Sequence, residues 1–243
     1  MISIIIPTYN EGGYLDDTLR HLTDGLPADG FEIIVSDSQS TDDTAAIAER
    51  YAGRVRLVQI PAGKKRGISQ GKNDGAAVAR GDFFTFLDAD VTVPHPQDFF
   101  KKLLAEFAKK SDLRAITVPM RILPDREIFA DRFFFFILNN VYRIENNWFH
   151  SGDASGEFQM IRAEDFKALH GYREDLAAGE DNDMFRRLAK RGRTEIFFGE
   201  RIYHTGRRIR KVGWASLWYL WIKNGLMVKF LNRSAVKEWD TIR

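Results

Sequence analysis

Phe83-Phe84-Thr85-Phe86-Leu87-Asp88-Ala89-Asp90 is a short apolar run that stops on two carboxylates one residue apart. Its aromatic and β-branched composition, bounded by Gly81-Asp82 in front and by acids behind, predicts a buried strand over residues 82–87. The same pattern recurs toward the N-terminus. Residues 69–79 read as a helix that stops before Gly81, and 55–60 as a strand. Residues 41–51 read as a helix with Ser40 or Thr41 as N-cap and acids in its first turn. Residues 31–36 read as a strand, 11–24 as a helix and 2–7 as an isoleucine-rich buried strand. Strands that alternate with helices in this way build a parallel sheet covered on both faces. Toward the C-terminus the order is less regular: helix 97–110, strand 113–119, a very aromatic helix over 129–147, strand 158–161, helix 181–190, strand 194–198 and a last helix over 213–231. The expected class is α/β, a Rossmann-like, mostly parallel central sheet flanked by helices, with an aromatic helical C-terminal extension. No repeat or low-complexity linker interrupts it.

The chain has 243 residues, 44% of them hydrophobic, enough to bury the core of one large α/β domain. Its net charge of +2 argues against nucleic acid as the main partner. The absence of cysteine excludes disulfides and thiolate metal sites and fits a reducing, cytoplasmic setting. Pro7 closes the first apolar run and no basic region precedes it, so a signal peptide is not expected. No stretch reaches the roughly 18 uninterrupted apolar residues of a spanning helix. Charge is concentrated between Arg186 and Lys211, where ten Lys or Arg face two acids. Such a block calls for an anionic ligand or surface.

In a parallel sheet, ligands sit beyond the carboxyl ends of the strands. Those ends carry Thr8-Tyr9-Asn10, Asp37-Ser38, a glycine-rich basic loop from Gly63 to Gly67, and Asp88-Ala89-Asp90. All four are therefore expected around one crevice. Past the end of a strand the chain turns, so Asp88 and Asp90 can reach a single ion. Paired carboxylates suit a hard divalent cation, Mg²⁺ or Mn²⁺, which would bridge diphosphate oxygens and neutralise a leaving diphosphate. The Gly63–Gly67 loop lacks the spacing of a P-loop.

Four motifs then carry a family resemblance. Ile4-Ile5-Ile6-Pro7-Thr8-Tyr9-Asn10-Glu11 resembles the opening strand of family 2 glycosyltransferases with the GT-A fold. Val35-Ser36-Asp37-Ser38 resembles their second strand, Gly81-Asp82 with Leu87-Asp88-Ala89-Asp90 their metal motif, and Gly179-Glu180-Asp181-Asn182-Asp183 their Glu-Asp catalytic motif. The resemblance runs from residue 2 to about 205. It implies a nucleotide diphospho-sugar as donor. It further implies that Pro7, Tyr9 and Glu11 line the base and ribose pocket, that Asp37 accepts a hydrogen bond from base or ribose, and that Lys72-Asn73 lie near the nucleotide. A late histidine, His204, is a candidate third metal ligand. Arg207 and Arg208 suit a diphosphate clamp, because guanidinium binds phosphate bidentately, and 203–208 reads as a lid over the donor.

Asp181 is the candidate base. In a helix starting near 180 it shares a face with Met184, Phe185 and Leu188, whereas Asp183 faces Arg186 and Arg187 in a solvated arrangement. Burial would raise its pKa and the helix N-terminus would lower it. An inverting transferase needs such a base to deprotonate the acceptor hydroxyl. Alternative readings are a retaining GT-A enzyme, a sugar nucleotidyltransferase, and a non-catalytic nucleotide-sugar binding module. The expected division is 1–95 for the nucleotide-sugar half, 96–205 for the acceptor and catalytic half, and 206–243 for a basic loop and aromatic helix.

Two aromatic segments remain. Phe133-Phe134-Phe135-Phe136-Ile137-Leu138 is apolar on every helical face, and 213–231 holds three tryptophans with few polar residues. A helix apolar all round is buried or faces something greasy. Two readings stay open. One is peripheral binding to an anionic membrane with a lipid-linked acceptor, favoured by Trp, Tyr and Lys together. The other is packing within the domain or in a homodimer.

Overall fold

The structure is a computed structural model that describes residues 1–59, 67–231 and 233–235. Three parallel strand–helix units open the chain: β1 (Ile2–Thr8), α1 (Leu15–Gly25), β2 (Phe31–Asp37), α2 (Thr44–Arg50), β3 (Val55–Gln59), α3 (Ile68–Val78) and then β4 (Phe83–Leu87). After a two-residue strand β5 (Val91–Thr92) come α4 (Pro96–Lys109), β6 (Leu113–Thr117), β7 (Met120–Ile122) and α5 (Phe129–Arg143), which runs on as a π-turn over Ile144–Trp148. The remainder is β8 (Phe158–Arg162), α6 (Ala163–Ala168), α7 (Glu180–Ala189), β9 (Arg193–Ile196), β10 (Ile202–His204), α8 (Arg207–Val212) and α9 (Trp214–Leu231).

A seven-stranded sheet has the order β3-β2-β1-β4-β8-β6-β9. β1 pairs in parallel with both β2 and β4, and β6 with β9; β8 alone runs against its neighbours β4 and β6. Alternation along β1 sorts the core into two layers. Ile2, Ile4 and Ile6 face α1 and α4, while Ile5 faces α3, Phe166 of α6 and the apolar side of α7. The chain leaves β1 toward β2 on one side and returns to β4 on the other, so a crevice opens at their carboxyl ends. The register widens it. Pairing of β1 with β4 stops at Ile5–Phe86, whereas pairing with β2 continues to Thr8–Asp37. Pro7, which has no N–H to donate, sits where the β4 ladder has already ended.

Most expected elements are present and several boundaries move for identifiable reasons, but the stretch expected as a lid and basic loop from 203 onward is strand β10 followed by helix α8, and β5, β7 and α6 are not among the expected elements. α1 starts at Leu15 rather than 11, because Gly12 and Gly13 intervene and Glu11 is drawn toward α8. α2 starts at Thr44 rather than 41: Asp42 accepts from the Thr44 N–H at 3.0 Å, and Thr41 gives its N–H to Asn10 instead. A second sheet, β5-β10-β7, lies next to the crevice; β10 is antiparallel to β5 and parallel to β7. It fastens residues 202–204 to the segment just beyond Asp90.

Helix α5 presents Asp131, Phe134, Phe135 and Tyr142 to the core. α9 packs on it through Trp214, Trp218 and Trp221, whose rings lie 3.5, 5.1 and 5.8 Å from that of Phe134. The Trp214 indole N–H donates to Asp131 at 2.9 Å. The tryptophans thus turn inward; α5 exposes Phe129, Phe133 and Phe136, and α9 exposes Tyr219 and Ile222. No helix among the described residues is long and apolar enough to cross a membrane.

Candidate functional site

The end of the crevice lined by β1 and β2 is a knot of short side chains. Asp37, 1% exposed, accepts from the Thr8 hydroxyl at 3.0 Å, the Ser40 N–H at 3.0 Å and the Ser40 hydroxyl at 2.5 Å. Asn10 accepts from Thr41 N–H at 2.6 Å, and the Gly12 N–H donates to Asp42 at 3.0 Å. Asn10 and Gln39 both adopt left-handed backbone, φ 55° and 66°, a conformation held only where surrounding bonds determine it. Pro7 is buried under this knot, and Tyr9, 37% exposed, is its outward face. Most of Asp37's acceptor capacity is spent internally, leaving one lone pair on Oδ2 for a ligand. The basic residues Lys64, Lys65 and Arg66 lie outside the described residues.

Asp88 and Asp90 stand at the end of β4. The Thr18 hydroxyl of α1 holds the turn by donating to the Ala89 carbonyl at 2.7 Å. Burial, and the nearby Glu157, Asp90 and Asp181 carboxylates, push the Asp88 carboxyl well above its ordinary range, with Lys72 opposing. Asp90 accepts from the Thr205 hydroxyl and lies 3.3 Å from Arg207 Nε. Arg207 also makes a bidentate pair with Glu11 at 2.6 and 2.8 Å and stacks 4.8 Å from the Tyr14 ring. Burial pushes the Glu11 carboxyl up against the pull of that guanidinium. Arg207 therefore ties the β1 end to Asp90; Arg208 follows it, half-buried, on α8.

His204 is buried behind Asp90. Its Nδ1 accepts from the Gly206 N–H at 3.3 Å, and its Nε2 has no partner. An accepting Nδ1 leaves the proton on Nε2, so ligation through Nε2 would require that bond to be given up. Among the described residues no group of three or more His, Asp or Glu side chains is arranged to hold a metal ion.

The opposite wall is the start of α7. Met184, Phe185 and Leu188 are fully buried, which points the helix as the wheel implies and brings Asp181 to the crevice with its side chain 14% exposed. Burial and the adjacent Glu180 raise the Asp181 carboxyl to about 8, against the pull of Lys72. Lys72 lies at 2.5 Å from Asp181 and 3.0 Å from Glu180, with no surface of its own. It is thus brought to the carboxylates of α7 and not to an open nucleotide pocket. Asn73 likewise serves Tyr172, bonding its backbone N–H and C=O at 2.9 Å each. Asp183 pairs with Arg187 at 2.7 Å as expected, but Asp183 is buried and Arg187 half-buried rather than solvated: Arg187 also caps the carbonyls of Leu169 and Gly171.

Further residues reach the site unanticipated. Because β8 is antiparallel to β4, its beginning, not its end, meets Leu87, and the segment Gly152–Glu157 lands beside Asp88 and Asp181. A Cβ at Gly156 would stand 2.7 Å from Asp181 Oδ2. Asp153 accepts from the Asn182 amide and is raised to about 6 by burial. Tyr142 lies under Asp153, Glu157 and Asp181, and burial and those charges hold its phenol well above its usual range. Gly, Asp and Ser clustered before a strand are a visible loop signal; the direction of that strand is not.

A parallel sheet with a strand-end Asp-x-Asp facing a helix-start Glu-Asp agrees with what the sequence matches. Residues 3–169 match the glycosyl transferase family 2 pattern, and the chain belongs to that family. It is 32% identical over 112 residues to the dolichol-phosphate mannosyltransferase of Pyrococcus furiosus, covering 46% of this chain and 31% of that one. It is 24% identical over 221 residues to the hyaluronan synthase of Pasteurella multocida, 88% of this chain and 22% of the synthase. The chain thus spans less than a third of either relative. Among solved structures it is similar to a mannosyltransferase from Pyrobaculum calidifontis in complex with GDP-Man and Mn²⁺, with TM-score 0.71 and 22% identity over 99% of this chain and 65% of that one. It is also similar to Staphylococcus aureus TarS 1–349 in complex with UDP-GlcNAc, with TM-score 0.66 and 18% identity over 98% and 68% of the two chains. Both structures share the GT-A fold with this chain.

Proposed function

We propose that this glycosyltransferase moves a sugar from a nucleotide diphospho-sugar to an acceptor hydroxyl or lipid phosphate with inversion, using Asp181 as general base and a divalent cation on Asp88 and Asp90. The observation that carries this reading is the Asp181 carboxylate, raised to about 8, nearly buried, and facing the end of the strand that bears Asp88. A carboxylate of that proton affinity can take a hydroxyl proton near neutral pH. The donor set fits a cation, because Asp88 is crowded by Glu157, Asp90 and Asp181. Two carboxylates with substrate phosphates and water are a usual site for Mg²⁺ or Mn²⁺. A bound cation would supply charge neutralisation for the leaving diphosphate. Tyr9, Pro7 and the remaining lone pair of Asp37 would receive the nucleoside. Arg207 would turn from Glu11 and Asp90 to the diphosphate, with Arg208 beside it. His204 would join the cation only after losing its bond from Gly206. The P. furiosus relative's name supports a lipid phosphate as acceptor, and the printed ligands of the two structures support the donor class.

A panel of UDP- and GDP-sugars with Mn²⁺ or Mg²⁺, read by nucleotide release, tests the proposal. Turnover of one donor that needs the cation is expected; no turnover of any donor with either cation would sink it. Retention of the anomeric configuration in the product would overturn Asp181 as base and favour the retaining alternative.

A second reading concerns the membrane. Phe129, Phe133 and Phe136 are 82, 60 and 67% exposed and form one stripe along α5, spaced by four and three residues. Arg132 and Arg143 flank that stripe, and Trp148 and Phe149 extend it, both exposed. Aromatic residues edged by cations suit an anionic lipid surface. Co-sedimentation with phosphatidylglycerol vesicles is expected, reduced by F133S/F136S. Equal recovery in the supernatant with and without vesicles would remove this reading.

A further inference from the structure

Lys72 has chemistry that donor binding does not account for. It lies on α3, which two glycines bring hard against the sheet: a Cβ at Gly75 would stand 2.5 Å from Ile5 Cγ2, and one at Gly71 3.1 Å from Ser38 Oγ. So seated, the helix sends the Lys72 side chain through the second core layer to α7. Its ammonium donates to Asp181 Oδ1 at 2.5 Å and to Glu180 Oε1 at 3.0 Å, and it lies 4.9 Å from the centre of the Tyr172 ring. That ring is itself fixed. The Tyr172 hydroxyl donates to Gln159, and its backbone is held by Asn73, the residue after Lys72. With 1% exposure, the ammonium cannot meet a phosphate without leaving both carboxylates.

The two carboxylates belong to consecutive residues and meet at the same ammonium. Without a cation between them, two like charges would face each other in a buried place. The cation offsets part of that repulsion and draws the Asp181 carboxyl down. It also occupies Oδ1 and leaves Oδ2 on the side where Gly156 has no Cβ.

We propose that Lys72 is a positioning residue for the general base, holding Asp181 by Oδ1 so that Oδ2 faces the acceptor, and is not a ligand of the donor diphosphate. The proposal rests on the reading of Asp181 as the base. In the step it serves, the oxygen of an acceptor hydroxyl bonds the anomeric carbon, the bond from that carbon to the diphosphate breaks, and the hydroxyl proton passes to Oδ2 while Lys72 stays on Oδ1. Lys72 belongs to the first, nucleotide-binding part of the chain and Asp181 to the second, so this contact also joins the two walls of the crevice.

The test uses K72M, of similar length without charge, in the full chain, with the donor that turns over in the panel. Expected are a fall in kcat of about 30-fold or more, as misplacing a catalytic group produces, and a Kd for UDP or GDP with Mn²⁺ within about twofold of the parent. The acid limb of the pH–rate profile should move to higher pH, because the carboxylate has lost its counter-ion; a purely structural lysine would not move it. K72M/E180Q guards against a folding failure. It removes the carboxylate left unpaired and should restore melting temperature but not turnover. Three results would each overturn the proposal: K72M turnover within about threefold of the parent, full recovery of kcat in K72M/E180Q, or nucleotide affinity falling as far as kcat/KM. An active D181N would instead overturn the base assignment itself, so the two failures are distinguishable.

Discussion

The two ends of the crevice treat carboxylates in opposite ways. At the β1–β2 end, Asp37 and Asp42 have their oxygens filled by hydroxyls and backbone N–H groups of neighbouring loops. Those bonds hold the Asp42 carboxyl below its ordinary range although burial acts against them. At the α7 end, Asp88, Asp153 and Asp181 are all raised, chiefly by burial. Saturated carboxylates fix a loop. Under-compensated ones cost stability and keep reactive capacity, the usual mark of a functional site. The same residue type is thus saturated on one wall and under-compensated on the other, the wall to which we assign the chemistry.

The sharpest way to break this contrast is D181N. We expect kcat to fall by roughly 10²–10⁴, the range of a lost general base, with donor affinity unchanged. Affinity measured by calorimetry beside steady-state rates checks it, and equal losses in both would move Asp181 to the binding wall. Next comes pH. A base acts as its carboxylate, and Asp181 is raised to about 8. The rate should therefore climb as pH rises toward and past that value, and fall as protonation sets in below it. A profile already flat from about pH 6 would show that bound cation and donor pull the group down fully.

A smaller effect is expected from G156A. The added methyl meets Asp181 Oδ2 and must push it aside. We expect kcat to fall about tenfold, below the loss for removing the base, since misplacement alone costs up to ~100-fold. Melting temperature should stay within about 2 °C, because the atom displaced is the end of a side chain. The smallest catalytic effect belongs to D37A. Losing the bonds from Thr8 and Ser40 should destabilise the fold by about 1–3 kcal/mol, read by urea unfolding, while kcat at saturating donor stays within about fivefold. A large kcat loss with unchanged stability would make Asp37 a catalytic residue and erase the contrast.

Much of this was legible in the amino-acid order. Apolar runs ending in Tyr9, Asp37 and Asp88 place those residues at one sheet edge, because parallel strands share a direction. The spacing of Met184, Phe185 and Leu188 turns α7 so that Asp181 meets the crevice. The β8 segment was legible as a strand but not as an antiparallel one, and with its direction unknown, Gly156 and Glu157 had no visible connection to Asp88. The tryptophans of α9 carry a membrane-like composition, yet they spend it on Phe134.

The sequence by itself determined the elements, their buried faces and the crevice, since these follow from local periodicity and from hydrogen-bonding limits of the backbone. Only the tertiary structure decided partners: Lys72 with Asp181, 109 positions away, and Arg207 with Glu11, 196 positions away. A charge seeks whichever opposite charge packing brings within reach, and desolvation then fixes how strongly the pair is held. Neither is written in any local pattern of residues.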